Sequence, residues 1–321
     1  MSILITGGAG YIGSITTTKL LQKNEKVIVV DDLSEGNRKA VSINTVFYTG
    51  NFGDPSLLKK IFSEHTIDSV MHFAASANVP DSVINPQKYY RNNVLNTISL
   101  LQIMLEFEIK KIIFSSTAAV YGEPEYTPID EEHPKVPINP YGYSKLFIEQ
   151  ILEDYAVAYN LKYIIFRYFC AAGAIDENGE SRAKETHLIP LVIDAAIDKR
   201  KSISVFGNDY PTIDGTGVRD YIHVEDIANA HILGIAQIDN VNNIILNLGT
   251  NSGYSVTEII ETSSKVLGES INSSLDKKRP GDPAVLVASN SLAAKLLKWK
   301  PKNNINDIIM SAYKWRKKPK Y

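Results

Sequence analysis

The sequence predicts an α/β protein that consists of a doubly wound parallel sheet and a second, smaller α/β domain. Two observations support this prediction. Short apolar runs alternate with helical patterns through the first half of the chain, and a glycine-rich turn separates the first run from the first helical pattern. Strands that alternate with helices favour a parallel sheet with helices on both faces. At 321 residues, 44% of them hydrophobic, the chain is long enough to bury a full core.

The N-terminal unit has an apolar run at residues 2–6, a glycine turn and a helical pattern over residues 12–23. Glycines at this spacing let the chain turn tightly and bring a pyrophosphate close to the free N–H groups at the helix start. The next apolar run ends at Asp31, whose carboxylate would accept hydrogen bonds from an adenosine ribose and would repel the extra phosphate of NADP. The unit therefore predicts a Rossmann-like fold that binds NAD. The turn residues expected at the cofactor are Gly7, Gly10, Tyr11, Ile12 and Gly13.

The alternation continues along the chain. Predicted strands are residues 45–48, 69–73, 111–115, 163–169 and 244–248, and predicted helices are residues 54–64, 85–107, 140–159, 188–198, 256–267 and 292–297. The stretch 170–220 is irregular and rich in Gly, Asp and Asn, which is typical of a binding site or a lid. We therefore expect a cofactor-binding domain at residues 1–169, to which 221–249 returns. Residues 170–220 and 250–321 would form the substrate-binding region.

Small, polar and aromatic side chains stand where the predicted strands end. Ligands of such sheets bind beyond the carboxyl ends of the strands, so we expect these residues near the cofactor. Taken singly, several fit a core or turn position equally well, and their common location favours binding. The residues are Asn51, Phe52, Phe73, Ala74, Ala75, Ser115 and Phe169.

A helix is predicted to begin at residues 139–140, because Asn is a good N-cap and Pro suits the first helical position. It places Tyr141 and Lys145 one turn apart on one face. An ammonium beside a phenol favours the phenolate, which gives a tyrosine base near neutral pH. The same spacing recurs at Tyr313 and Lys317, so spacing alone does not identify a catalytic pair.

The composition narrows the function classes. A net charge of -2 gives no reason to expect a nucleic-acid or membrane partner, and the basic stretch 295–320 is expected to be a solvated face. The single cysteine, Cys170, rules out an intrachain disulfide and fits a reducing compartment. No signal peptide and no apolar segment of bilayer length is found, so we expect a cytoplasmic protein. The six histidines lack metal-ligand spacing, so no metal is expected, and His72 and His223 are interpreted as structural.

Several segments together resemble a known family. They are residues 7–13, 114–122, 141–145, 167–169 and 206–224. On these segments the chain resembles the extended short-chain dehydrogenase/reductase family, and within it the 4-epimerases of UDP-hexoses, over essentially its whole length. The first segments are typical of the superfamily, whereas the last is close to a signature of the epimerases.

The resemblance implies an NAD-dependent enzyme that interconverts UDP-galactose and UDP-glucose through a 4-keto intermediate. Tyr141 would remove the proton of the sugar O4 while C4 passes a hydride to NAD⁺, and Thr117 would hydrogen-bond O4. Lys145 would bind the nicotinamide ribose and lower the pKa of Tyr141. Tyr141, Lys145 and Asn93 would thus also contact the cofactor. The implied UDP-hexose contacts are Thr117, Tyr141, Phe206, Arg219, Arg279, Asp282 and Leu286, with surface ion pairing of the arginines and core packing of Phe206 left as alternatives.

The residues after Thr117 distinguish between related chemistries. Sugar-nucleotide dehydratases and decarboxylases of the same superfamily carry an acidic residue just after this Ser or Thr. Here Ala118 and Ala119 follow, which leaves oxidation and reduction and favours epimerisation.

Four positions bear on binding. Cys170 stands where the family commonly has an Asn at the substrate phosphates, Asn51 where an Asp usually contacts the adenine, and Ala77 where some members have a Lys. Leu286 matches the position at the hexose end of the pocket, where a bulky Tyr is associated with exclusion of N-acetyl sugars. The resemblance therefore implies tolerance of UDP-GalNAc and UDP-GlcNAc.

Two other functions stay open. A net dehydrogenase or reductase of a nucleotide sugar would form stoichiometric NADH. A catalytically silent nucleotide-sugar or NAD sensor would have no reason to keep Thr117, Tyr141 and Lys145 together. The family also implies a homodimer through the helices at residues 85–107 and 141–159.

Overall fold

The computed structural model describes residues 2–182, 185–198, 201–279 and 282–321. Its strands are β1 Ser2–Thr6, β2 Val27–Asp31, β3 Val46–Thr49, β4 Ile67–His72, β5 Lys111–Thr117, β6 Lys162–Tyr168, β7 Cys170–Ala172, β8 Ile203–Phe206, β9 Val218–Arg219, β10 Tyr221–His223, β11 Ile244–Leu248, β12 Tyr254–Ser255, β13 Ser273–Asp276 and β14 Val285–Leu286. Its helices are α1 Tyr11–Gln22, α2 Pro55–Glu64, α3 Val79–Ile84, α4 Pro86–Tyr89, α5 Asn96–Glu106, α6 Pro140–Tyr159, α7 Leu188–Ile197, α8 Val224–Gln237, α9 Val256–Leu267, α10 Ser291–Leu297 and α11 Ile305–Lys317.

The central sheet has seven parallel strands in the order β11-β6-β5-β4-β1-β2-β3. The strand order reverses between β1 and β4, since β2 and β3 extend to one side and β5, β6 and β11 to the other. In sheets of this kind, ligands bind in the crevice at the carboxyl ends of the strands where the order reverses. The prediction of a doubly wound, Rossmann-like parallel sheet is confirmed.

Both faces of the sheet are covered, because successive side chains of a strand point to opposite sides. Ile3 and Ile5 pack with residues of α1 and α8 on one face, and Leu4 packs with residues of α2, α5 and α6 on the other. Leu4 and Ile5 are fully buried. Burial of each such side chain contributes about 1.5–3 kcal/mol. The two cores fix the strand ends that carry the site residues.

A separate apolar cluster lies among α7, α9 and α11, with Ile193, Ile259 and Ile309 buried in it. Three small sheets lie outside the central one: β9 lies between β12 and β14, β8 pairs with β13, and β7 pairs with β10. The basic stretch 295–320 is only partly a solvated face. It contains the end of α10 and all of α11, and it buries Trp315 while its lysines stay mainly exposed.

Most predicted elements agree with the observed ones to within one or two residues at each end. The predicted helix at 85–107 differs, because a π-helical section, Tyr90–Leu95, separates α4 from α5. The short helix α3, the helix α11 and the two- and three-residue strands were not predicted. Among the described residues, no helix has both the length and the apolar character that a membrane span requires. The division into two domains stays a prediction.

Candidate active site

The start of α6 is determined by local hydrogen bonding. The side chain of Asn139 accepts a hydrogen bond from the N–H of Gly142 at 2.9 Å, and Pro140 occupies the first helical position. This cap satisfies one of the free N–H groups of the first turn and so fixes where the helix begins. It places Tyr141 in the first turn and Lys145 one turn later, as the sequence predicts.

Tyr141 contacts the carboxyl end of β5. Its hydroxyl is hydrogen-bonded to Thr117, the last residue of that strand. Burial raises the pKa of the Tyr141 hydroxyl above its usual value, whereas the bond to Thr117 and the charge of Arg182 act to lower it. The expectation that Lys145 brings this pKa down is therefore not met by the protein alone. A further positive charge is needed at Tyr141 if it is to act as a base near neutral pH.

Lys145 is 3% exposed, and its ammonium donates a hydrogen bond to the carbonyl of Ser115 at 2.9 Å. Its Nζ lies 4.8 Å from the centre of the Phe114 ring. Burial lowers the pKa of Lys145 to about 7, although the carboxylate of Glu149 acts in the opposite direction. Lys145 thus lies close to its change of charge at neutral pH. We refer to Thr117, Tyr141 and Lys145, for which the sequence predicts a role in proton transfer, as the proton-transfer set.

The glycine turn fits a dinucleotide pyrophosphate. Gly7 has φ +71°, and a Cβ at this residue would lie 2.6 Å from the backbone nitrogen of Ala74. A Cβ at Gly13 would lie 2.2 Å from the carbonyl oxygen of Gly7, so the helix can approach the turn only without a side chain there. Gly10 provides no side-chain cap for α1, which leaves the first N–H groups of the helix to bind an anion.

Asp31 lies at the carboxyl end of β2. One of its carboxylate oxygens accepts the N–H of Ala9 at 2.9 Å, and the other accepts the N–H of Leu33 at 2.8 Å. Burial raises the pKa of Asp31, and these two bonds act to lower it. Each oxygen retains capacity for another donor, so the carboxylate suits ribose hydroxyls.

The remaining residues of the first turn connect the two parts of the chain. The Tyr11 hydroxyl donates to the carbonyl of Gly173 at 2.5 Å, and Ile12 is partly buried against the core. Burial raises the pKa of Tyr11. The hydrogen bond of Tyr11 thus holds the stretch after β7 against the start of α1.

The aromatic residues predicted at the cofactor are packed against rings of the sheet. Phe52 lies 4.9 Å from the ring centre of His72, and Phe73 lies 4.7 Å from that of His231. Phe169 is buried in a small cluster with Ala118. Phe52 and Phe169 can therefore offer only limited surface to a ligand, while Phe73 is partly exposed.

The polar residues predicted to contact the cofactor form hydrogen bonds within the protein. The amide of Asn93, in the π-helical section, donates to the carbonyl of Ser76 at 3.0 Å and to the hydroxyl of Ser144 at 2.9 Å. Asn51 accepts from Asn96 at 3.0 Å. Asn93 therefore holds the loop after β4 against α6, and both of its amide hydrogens are used. The other predicted contacts at the strand ends are Ala74 and Ala75, both partly exposed, and Ser115, whose hydroxyl accepts from Tyr168 at 2.9 Å.

The residues predicted to contact the substrate form two groups. Phe206 ends β8, and the guanidinium of Arg279 lies 3.7 Å from the centre of its ring. Arg219 lies in β9 and forms an ion pair with Asp282. Both arginines are therefore held by neighbours from the same predicted set, one by an aromatic face and one by a carboxylate. Cys170 lies near the second group, where burial raises the pKa of its thiol to about 11.

Leu286 connects the substrate-side strands to the end of β5. It is the register partner of Arg219 across β14 and β9, and it packs against the cluster that contains Ala118 and Phe169. The structure thus brings the predicted hexose-end residue to the loop that follows Thr117. A sugar held along β9 and β14 would have its reacting end near the proton-transfer set.

A cluster of two carboxylates and a histidine, which the sequence did not predict, lies in the stretch before α7. The Nδ1 atom of His187 lies 3.0 Å from carboxylate oxygens of both Glu180 and Glu185, and these three residues have the spacing of metal ligands. Burial opposes protonation, but the two carboxylates raise the pKa of His187 to about 9. A charged imidazolium between two carboxylates satisfies this group without an ion. No sequence spacing typical of a metal site marks these residues.

Comparison with known proteins identifies the family. Residues 3–249 match the NAD dependent epimerase/dehydratase family. The chain belongs to this family. It is 47% identical over 322 residues to a UDP-glucose 4-epimerase of Halalkalibacterium halodurans, with 99% of this chain and 96% of that protein covered.

Solved structures of similar proteins show the same fold. A UDP-glucose 4-epimerase from Bifidobacterium longum, in complex with NAD⁺ and UDP, is 40% identical with a TM-score of 0.93 and 99% coverage of both chains. The UDP-Glc/GlcNAc 4-epimerase of Campylobacter jejuni is 40% identical with a TM-score of 0.86, and the match covers 98% of this chain and 99% of that one. The family predicted from the sequence, and its dependence on NAD, are confirmed.

Proposed function

We propose that the chain is an NAD-dependent epimerase that interconverts UDP-galactose and UDP-glucose through a 4-keto intermediate. The observation that carries this proposal is the position of the proton-transfer set. Tyr141 is bonded to Thr117 at the end of β5, and Lys145 lies one turn along α6. UDP-glucose 4-epimerases among the relatives support the substrate class.

Tyr141 is the residue that removes the proton from O4 of the hexose and later returns it. Thr117 is bonded to the Tyr141 hydroxyl and is the residue that holds O4 next to it. The alanines at residues 118 and 119 provide no acid for elimination of water. The side chains present thus suit oxidation and reduction at C4 without loss of a group from the ring.

When bound, NAD⁺ supplies the redox partner for C4 and a positive charge close to Tyr141. The N-terminus of α1 would bind the cofactor diphosphate, Asp31 the adenosine ribose and Lys145 the nicotinamide ribose. Because burial raises the pKa of Tyr141, a nearby positive charge is needed to favour its deprotonated form, which can then accept the proton of O4. It keeps that proton once the charge has been neutralised, so proton transfer is coupled to the redox step.

The substrate-side residues would hold the nucleotide and leave the hexose room to turn over. We assign Arg219 and Arg279 to the diphosphate, Phe206 to the uridine and Leu286 to the hexose end. The ion pair between Arg219 and Asp282 would open or rearrange when the diphosphate binds. Tight nucleotide binding with few contacts to the sugar is what inversion at one carbon requires.

The test is incubation of the purified protein with UDP-galactose, with the sugar nucleotides separated by chromatography and NADH followed by absorbance. We expect UDP-glucose to form until the two sugars reach equilibrium, without net formation of NADH. Stoichiometric NADH would instead identify a nucleotide-sugar dehydrogenase. Binding of UDP-galactose without conversion would identify a silent sensor.

A wider substrate range is proposed from Leu286. Leucine is smaller than the tyrosine associated with exclusion of N-acetyl sugars, and a similar protein is a UDP-Glc/GlcNAc 4-epimerase. We expect the protein to convert UDP-GlcNAc to UDP-GalNAc, and L286Y to lose this activity while it still converts UDP-glucose. Absence of UDP-GlcNAc turnover by the wild-type protein would contradict the proposal.

We also propose a cytoplasmic homodimer in which residues 1–169 and 221–249 form the NAD domain and residues 170–220 and 250–321 bind the UDP-hexose. Exposed apolar side chains on the helices after α3 support the dimer: Leu95 is 58% exposed and Phe147 46% exposed. An F147E variant should sediment as a monomer where the wild-type protein sediments as a dimer. A monomeric wild-type protein would contradict this part.

A further inference from the structure

A buried polar layer lies behind the proton-transfer set. It consists of Ser116, Tyr121, Glu149, Arg167 and Asn247, each 2% exposed or less. Ser116, Arg167 and Asn247 are register partners across the adjacent strands β5, β6 and β11. Their side chains therefore lie side by side on one face of the sheet.

Glu149 joins this layer to α6. Its carboxylate accepts hydrogen bonds from the hydroxyl of Ser116 and from two nitrogens of Arg167, at 3.1 Å and 2.6 Å for the latter. The third nitrogen of the guanidinium donates to the Tyr121 hydroxyl at 2.9 Å, which donates to Asn247 at 2.6 Å. All five side chains are thus linked by hydrogen bonds in the protein interior.

The layer is continuous with the proton-transfer set through the geometry of α6. Tyr141, Lys145 and Glu149 occupy one face of the helix at successive turns. They bind the last three residues of β5: Tyr141 bonds to the side chain of Thr117, Lys145 donates to the carbonyl of Ser115, and Glu149 accepts from the hydroxyl of Ser116. The third contact keeps the end of β5 in register with the helix.

We propose that Glu149 is a positioning residue of the epimerase, which aligns Ser116 and hence Thr117 with Tyr141 and places a carboxylate one helical turn from Lys145. This inference rests on the proposed function. A buried ion pair such as Glu149–Arg167 is weak evidence for stability, because apolar side chains of similar volume often replace such pairs without loss. Alignment of the strand end and a negative charge near Lys145 are properties that an apolar pair would not provide.

The charged and titratable groups around Lys145 identify Glu149 as its carboxylate. On α6 these groups are Tyr141 and Glu149, and His72 faces Lys145 from β4. Burial and the charge of Lys145 lower the pKa of His72 to about 3, so this imidazole stays neutral. On β6, burial raises the pKa of Tyr168, which stays neutral as well, and the charged guanidinium of Arg167 is paired with Glu149. Among the described residues, Glu149 is the acidic group that acts on Lys145.

The test compares E149Q and S116A with the wild-type enzyme across the pH range, using UDP-galactose as substrate. S116A removes the bond to β5 and leaves the charge, so we expect kcat to fall by about the same factor at every pH and KM to change little. E149Q also removes the charge, so the decline of kcat at alkaline pH should move to lower pH. If the pKa of Lys145 falls by one unit, the ratio of E149Q to wild-type kcat deepens about tenfold across that decline.

The matched control is E153Q. Glu153 lies one turn further along α6, partly buried, and a Gln there also removes one negative charge from the helix. We expect E153Q to keep the wild-type kcat and pH profile. An isolated structural role for Glu149 would lower the melting temperature of E149Q without changing the shape of its pH profile.

E149Q can fail to fold, because it leaves the guanidinium of Arg167 buried without a carboxylate. In that case the double variant E149Q/R167M, which removes both charges, carries the test; its pH profile should shift in the same direction as that of E149Q but by less, because the positive charge of Arg167 is lost together with the carboxylate. A ratio of E149Q to wild-type kcat that does not change with pH overturns the proposal. Absence of UDP-galactose conversion by the wild-type protein itself overturns the proposed function instead, so the two failures are distinguishable.

Discussion

The helices α6 and α11 both carry a tyrosine and a lysine four residues apart, but their surroundings differ. In α6, Tyr141 is bonded to a strand end and Lys145 is buried, with a backbone carbonyl as its acceptor. In α11, the ring of Tyr313 is partly buried against an apolar cluster, and the ammonium of Lys317 lies 5.0 Å from its centre at the exposed end of the helix. The two pairs share a spacing and little else.

The difference shows which part of the chemistry a helix supplies and which part the sheet supplies. Helical geometry brings the two side chains of either pair to one face. Burial at the crevice of the parallel sheet then changes the titration of the α6 pair, raising the pKa of Tyr141 and lowering that of Lys145. Such shifts make a pair suitable for acid-base chemistry, because the charge state of each residue becomes sensitive to a ligand.

The largest effect is expected when the tyrosines are exchanged for phenylalanine. Y141F removes the proton acceptor, so kcat for UDP-galactose should fall by roughly a thousandfold. Y313F should keep kcat within about twofold, since a change outside the site leaves the chemistry intact. Bound NAD, released by denaturation and measured enzymatically, should be present in both variants. Equal turnover by Y141F and the wild-type protein would remove Tyr141 from the mechanism.

The lysines should show a smaller contrast. K145M removes a positive charge from a dry site beside Tyr141, and we expect kcat to fall by about a hundredfold. K317M removes a lysine from the exposed end of α11 and should leave kcat unchanged. Steady-state assays with UDP-galactose at saturating concentration measure both. Equal losses in the two variants would show that the burial of Lys145 has no catalytic consequence.

The third contrast concerns the neighbour of each tyrosine, which is the strand-end residue Thr117 for Tyr141 and an apolar cluster for Tyr313. T117A removes the hydroxyl bonded to Tyr141, and loss of one such hydrogen bond should lower kcat by about tenfold. T117S keeps the hydroxyl and is expected to retain most of the activity. The comparison of kcat between the two variants separates the hydroxyl from the methyl group, and a loss of activity in T117S as large as in T117A would contradict the assignment.

The sequence predicts the elements whose formation depends on local chemistry. The start of α6 follows from the Asn139 cap and the N-terminal turn follows from its glycines, because each acts on its own backbone. Strands of two residues, such as β9 and β14, form only because partner strands lie beside them, so no local pattern predicts them. The helix α11 was not predicted either, because the lysines around it led to the interpretation of a solvated face, although its other side packs in the apolar cluster around Ile309.

The same distinction between local and tertiary features applies to the candidate site. Tyr141 and Lys145 could be proposed from the sequence because one helix fixes their spacing. Glu149 has the same spacing from Lys145, yet its role depends on the register that places Ser116 beside Arg167, and register between strands is a tertiary property. The engagement of Asn93 with Ser144 is tertiary too, since it joins the π-helical section to α6. Contacts that depend on a second element, such as those of Glu149 and Asn93, were therefore not predicted from the sequence.

The smallest contrast is in the pH dependence of stability. Burial lowers the pKa of Lys145 to about 7, so the unfolded chain binds this proton more tightly than the folded protein does. The resulting stabilisation is complete above the unfolded pKa of about 10.4 and is lost as pH falls toward 7. Tyr141 acts in the opposite direction only above about pH 10, because burial raises its pKa and the folded state then holds the proton more tightly.

Urea unfolding between about pH 7 and 10 should therefore separate the two lysines. The free energy of unfolding of the wild-type protein should rise relative to that of K145M by up to about 1.4 kcal/mol per pH unit, the limit for one proton. The difference in unfolding free energy between the two proteins is the useful quantity. Glu180 and Glu185 raise the pKa of His187 to about 9 against the effect of burial, so His187 lowers the stability of both proteins as pH rises. This contribution cancels in the difference. K317M should run parallel to the wild-type protein. Parallel lines for K145M and the wild-type protein would mean that Lys145 titrates as an exposed lysine does, and the contrast between α6 and α11 would then rest on hydrogen bonding alone.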